Sequence, residues 1–153
     1  MMLSQTDTKL LAFAQTLELT TRDVYVNVVG RKSLGDDERA LLEQFHAHHV
    51  AYEQTLNGLL SKNAANKRDE VIYESFVAKL SEAQNIWSAL LEIENTMIAS
   101  HNKAIETIES AKVAALLASM ITVEARHAAI LASQTTTNLS AALDNNTTAL
   151  VAS

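Results

Sequence analysis

Glu124 and His127 stand three residues apart, a spacing that puts a carboxylate and an imidazole on one face of a helix, one turn from each other. Oxygen and nitrogen donors held in this way suit a first-row metal ion. The pair is not isolated. Glu18, His49, Tyr52 and Glu94 each fall within a stretch whose apolar residues recur every three or four positions, so each interrupts the inner stripe of a helix. The first two stripes read Leu11, Ala14, Glu18, Thr21, Tyr25, Val28 and Leu42, Phe45, His49, Tyr52, Leu56, Leu59. The other two read Trp87, Leu90, Glu94, Met97, His101, Ala104, Ile108 and Val113, Leu117, Met120, Glu124, His127, Leu131.

A carboxylate without a partner in an apolar core either costs several kcal/mol or gives up its charge. Three of them converging on one core repel, and a pair of metal ions at the centre supplies the compensating charge to Glu18, Glu94 and Glu124. A single Glu-x-x-His recurs by chance, and mutual hydrogen bonding, for example of Glu94 by His49, accounts for any one of these residues alone. Their coincidence on four stripes favours a shared site.

Other polar residues compete with this set. Glu43 and His46 also have the Glu-x-x-His spacing, but their stripe continues through Val50, Glu53 and Asn57 and is the wetter face, so they are the fallback to His49 and Tyr52. Tyr25 lies two turns from Glu18 and either hydrogen-bonds a ligating carboxylate or is an ordinary core tyrosine. His101 lies two turns from Glu94, roughly 10 Å along the axis, too far to share its site. His48 reads as solvated, and Met97, Met120 and Trp87 as core filling.

The elements that position these residues are set by the punctuation. The chain of 153 residues has no proline and three glycines, two of which, Gly30 and Gly35, bracket a short polar turn. The first helix is expected from Thr6 or Asp7 to Val29. A second begins after Gly35, with Asp36, Asp37 and Glu38 at its positive end, and runs to about Leu60. Residues 63–67 read as loop and 68–79 as a short connector helix with Val71, Ile72, Phe76 and Leu80 inward. A third long helix is expected over 81–108 and a fourth over 112–133. The tail, 134–153, carries one weak apolar patch from Leu139 to Leu143 and is read as a docked short helix or as frayed. These spans describe an all-α chain, an antiparallel four-helix bundle of about 6–133 in a single domain.

Composition excludes several classes. The formal net charge of −6, with no basic stripe, argues against a nucleic-acid partner. No cysteine is present, which removes disulfides and thiolate metal sites. The first residues lack the pattern of a secretory signal, and no apolar run reads as long enough to span a bilayer, so a cytoplasmic protein is the expectation.

The segment Ala118 to Leu131, with Val-Glu-Ala-Arg-His at 123–127, resembles the last helix of actinobacterial ferritin-like proteins. Leu17-Glu18-Leu19 and Leu91-Glu92-Ile93-Glu94-Asn95-Thr96 agree with it, and the resemblance extends over residues 10–133. In the ferritin and rubrerythrin superfamily two helices each supply one Glu, and two supply a Glu-x-x-His. The resemblance therefore implies that Glu18 and Glu94 are the lone glutamates and that Glu124 and His127 form one pair. The second helix departs from it, offering His49 and Tyr52 where the other pair is expected. By that resemblance the chain is a ferritin-like bundle holding two iron or manganese ions, with ferroxidase chemistry or reduction of dioxygen or peroxide, in a possible homo-oligomer. Because the second helix is short of one carboxylate, the alternative is a metal-free or single-metal bundle serving as a binding or assembly module.

Overall fold

The computed structural model describes residues 3–83, 85–138 and 140–152. Among them it is all-helical: α1 Gln5–Val29, α2 Asp36–Leu60, α3 Glu70–Glu82, α4 Ile86–Ile105 and α5 Ala111–Ser133, with single 3₁₀ turns at Ser61–Asn63 and Ala141–Leu143. The chain divides into two compact units, residues 11–77 and residues 3–10 with 78–152.

In the first unit α1 and α2 bury Leu11, Leu17, Val24, Tyr25, Val28, Leu42, Phe45 and Leu56. Each fully buried side chain of this size contributes about 1.5–3 kcal/mol, which offsets the desolvation of the polar groups among them. The turn between the helices is held from one side chain: the Arg39 guanidinium donates to the carbonyls of Val29 and, at 3.0 Å, of Arg31, capping the orphan carbonyls at the end of α1. Glu38 Oε2 accepts from the Gly35 N–H at 2.8 Å and closes the start of α2. After α2 the irregular stretch is fastened to α1 through its backbone. Gln15 Oε1 accepts from the Ala65 N–H at 2.7 Å, and Thr20 Oγ1 accepts from the Asp69 N–H at 3.2 Å. Arg68 bonds Asp23 at 3.0 Å and lies 3.5 Å over the Tyr73 ring.

In the second unit α4 and α5 bury Leu90, Ile93, Met97, Val113, Leu117, Met120 and Leu131. The turn joining them is clamped by Asp7, 1% exposed, whose Oδ1 and Oδ2 accept from the backbone N–H groups of Glu109 and Ser110 at 2.8 and 3.1 Å. A carboxylate there also faces the positive end of α5.

Four expectations are corrected. The third long helix starts at Ile86, not Ser81, because Asn85 accepts from the Ser88 N–H at 2.9 Å and caps a new helix, separating it from α3. Val71 points out, 78% exposed. The tail is docked but not helical beyond its 3₁₀ turn; Leu139, at the head of its predicted apolar patch, lies outside the described residues. Finally, α5 is by length and composition apolar enough to cross a bilayer, with mean hydropathy 1.4. Its inner stripe carries Glu124 and His127 paired to side chains of α4, while Ala115, Ala118, Ala125, Ala129 and Ile130 on its other faces are exposed.

Candidate metal centre

In the first unit, the stripe of α1 is buried as its spacing predicts, from Leu11 through Glu18 and Thr21 to Val28. Opposite it on α2 the buried positions are Leu42, Phe45, His49, Glu53, Leu56 and Leu60. The register predicted from sequence slips after His49: Tyr52 and Leu59 are half-buried, and Glu53 and Leu60 take the inner positions. A helix of 3.6 residues per turn puts positions three and four residues on near the same face, and on α2 the step after His49 is four. Glu18 and His49 meet, Oε2 to Nδ1, at 2.7 Å, both fully buried. The ring of His49 stacks on Tyr25 at 5.3 Å between centroids, and Tyr25 meets Phe45 edge to face at 6.1 Å. Tyr25 thus holds the imidazole by its face.

One turn along α2, Glu53 is 9% exposed and accepts from Gln15 Nε2 at 3.0 Å. The sequence pattern puts Glu53 on a wet face and does not single out Gln15. The signal that finds them is the 3.6 period itself, which puts position 53 below position 49. Of the fallback pair, Glu43 is exposed and His46 half-buried. Burial lowers the pKa of His46 below 6.5, helped by His49 and Arg22 and opposed by Asp23 and Glu43.

In the second unit the buried stripes of α4 and α5 bring two further pairs together, and the pairs are crossed. Glu94 of α4 meets His127 of α5, Oε1 to Nδ1, at 3.2 Å. His101 of α4 meets Glu124 of α5, Nδ1 to Oε2, at 3.2 Å. All four residues are at most 2% exposed. The second of these pairs corrects the reading of His101. Its distance from Glu94 along α4 is real, but the partner lies on the antiparallel neighbour, where the side chains' reach makes up the difference.

The pairs share one geometry. An ionised carboxylate only accepts, so Nδ1 carries the hydrogen, and a neutral imidazole then presents its lone pair at Nε2. A carboxylate on one ring nitrogen fixing the other toward a cation is the usual arrangement around a metal-binding histidine. Glu124 adds a second sign. Its Oε1 is buried and has no hydrogen-bond partner among the described residues, which leaves an oxygen lone pair available to a cation. Among the described residues, Glu18, His49, Glu94, His101, Glu124 and His127 are buried and each offers an atom that a metal ion could take. Nitrogen and carboxylate donors without sulfur fit iron, manganese or zinc.

A family model described as a ferritin-like domain matches residues 6–137. No curated protein and no solved structure matches the chain.

Proposed function

The chain belongs to the ferritin-like domain family, and from that premise we propose that it is a metal-binding carboxylate protein whose ligands are Glu18, Glu94 and Glu124 with His49, His101 and His127. The observation that carries this reading is Glu124, fully buried, with one oxygen on His101 and the other without a hydrogen bond among the described residues. A charged oxygen left so in an apolar helix core is costly, and a cation removes the cost. The donor set favours iron or manganese at two ions per chain. Bound there, such ions would supply redox chemistry toward dioxygen or peroxide. The chain's own part is positional. The carboxylates hold each imidazole by Nδ1, Tyr25 fixes the ring of His49 from its face, and the buried stripes keep bulk water away.

A second reading rests on the same pairs. A protonated imidazole against a carboxylate neutralises each pair without metal, and the 2.7 Å separation of Glu18 and His49 favours that for one of them. The bundle would then be a metal-free binding or assembly module.

Elemental analysis of protein expressed with iron and with manganese supplied separately separates the two. About two ions per chain, lost in Glu124→Gln and kept in Glu43→Gln, is the expected result. Metal-free protein from both cultures, with no uptake on reconstitution, would sink the metal reading and leave the module.

A further inference from the structure

The end of the chain returns along the outside of α4 and is fastened there. Asn145 Nδ2 donates to the Asn95 carbonyl at 3.0 Å, while its Oδ1 accepts from the Thr147 N–H at 3.0 Å. Further along α4, Ser100 Oγ accepts from the Leu150 N–H at 2.9 Å and donates to the Thr96 carbonyl at 2.6 Å. Ser100 and Thr96 are 3% and 6% exposed although neither lies on the stripe that carries Glu94 and His101. Alongside the tail, a cavity of about 200 Å³ is bounded by Asn95 and Ile98 of α4, Ala125 and Ala129 of α5, and tail residues 142–145.

This cover sits at the level of the crossed pairs. Ala125 follows Glu124 directly and is exposed to the cavity, while Ser100 precedes His101 and is bonded by the Leu150 N–H, so the tail is the element fastened over α4 beside the His101–Glu124 pair. His101 and Glu124 are 1% and 0% exposed, so no ion reaches them unless some element moves. Within this unit α4 and α5 are regular helices of 20 and 23 residues. The tail is irregular, and within residues 145–150 Asn145, Asn146 and Thr148 are exposed and Leu150 is half-buried, with Leu143 and Val151 on either side 83% and 63% exposed, so little apolar burial opposes its release. Segments of that kind open at the lowest free energy in a fold.

We propose that residues 145–150 are a latch over the α4–α5 seam, and that unlatching is the route by which a divalent cation reaches the His101–Glu124 pair. The route rests on the proposed metal-binding function; the latch itself does not. A gate speeds entry and exit equally and leaves the equilibrium affinity unchanged, whereas loss of a ligand changes the affinity.

The test uses the full chain with Ser100→Ala, Asn145→Ala and the double variant. Each lost bond is expected to shift the opening equilibrium about five- to tenfold. In metal-free protein, the rate at which diethyl pyrocarbonate modifies His101, read by mass spectrometry against exposed His48, should rise by that factor per substitution. In cobalt-loaded protein, release to a chelator and uptake from Co²⁺ should accelerate by the same factor at unchanged Kd. Asn145 lies in the tail, so its variant keeps the test sound should Ser100→Ala disturb α4. An unchanged rate of His101 modification in the double variant overturns the latch. A weaker Kd with unchanged uptake overturns the gate, because Ser100 would then be supporting a ligand. Wild-type protein that takes up no cobalt fails the metal reading and the route with it, while His101 modification still decides the latch.

Discussion

Asp7 and Glu124 are buried carboxylates of the same unit, 1% and 0% exposed, and they are satisfied in opposite ways. Both oxygens of Asp7 accept backbone N–H groups at a turn. Glu124 has one oxygen against an imidazole and the other without a hydrogen bond among the described residues. The desolvation of Asp7 is answered by the chain itself, so its charge belongs to the scaffold. That of Glu124 is answered in part, and the remainder is an opening for a ligand. Burial alone does not mark a functional carboxylate; the number of its lone pairs that the protein leaves over does.

The largest effect should come from the satisfied group. Asp7→Ala removes the acceptor from two part-buried N–H groups just before α5, and hydrogen bonds to a charged group contribute about 1.5–3 kcal/mol each. A loss of at least about 3 kcal/mol is expected on that basis, read by denaturant unfolding, equal with and without metal. A loss that depends on metal would break the contrast with Glu124.

Glu124→Gln should do the reverse. In chelator-treated protein the isosteric amide keeps an oxygen for His101 and drops a costly charge, so stability should stay within about 1 kcal/mol of wild type. In protein held at about a hundredfold excess of metal over Kd, wild type gains about 2.7 kcal/mol by mass action and the variant forfeits it. Equal destabilisation in both states would make Glu124 a structural partner of His101 and nothing more.

Gln15 is a further satisfied group, bonded at both ends of its amide. Gln15→Met should cost about 1–3 kcal/mol, because it leaves Glu53 and the Ala65 N–H without that partner. Thermal unfolding with and without metal checks it, and the two shifts should agree.

How much of this is legible in the sequence depends on the kind of geometry involved. Stripes on single helices are legible: every inner position predicted on α1 and α5 is buried, Glu18, Glu124 and His127 included. On α2 the choice between a step of three and a step of four after His49 is not legible, and the pattern puts Tyr52 in the place that belongs to Glu53. Geometry between helices is not legible. Distance along α4 separates His101 from Glu94, but that measure is blind to Glu124 on the neighbouring arm of the hairpin, and no stripe taken alone shows that Glu94 meets His127 there. Asp7 reads from sequence only as a helix start, since its clamp on residues 109 and 110 is a contact across some hundred positions that no local pattern encodes.

The smallest effect concerns a half-buried group whose desolvation outweighs its acidic neighbours. Burial is the main cause that takes the pKa of His46 below 6.5, with His49 and Arg22 adding to it. The unfolded chain therefore binds a proton at a higher pH than the folded one. Between those two values unfolding takes up protons, so stability falls as the pH drops below 6.5 and levels off once the folded form is also protonated. Above 6.5 His46 contributes no pH dependence. His46→Gln should flatten that part of the stability profile, and NMR titration of the ring should give a midpoint under 6.5 in the native protein. The causes can be separated by substitution: Arg22→Gln should raise the midpoint by removing a positive neighbour, and Glu43→Gln should lower it further by removing a negative one. If both leave it where it is, desolvation alone sets the shift. A midpoint at or above 6.5 in the native protein would mean that His46 is compensated after all, and that the rule drawn from Asp7 and Glu124 misses a partner there.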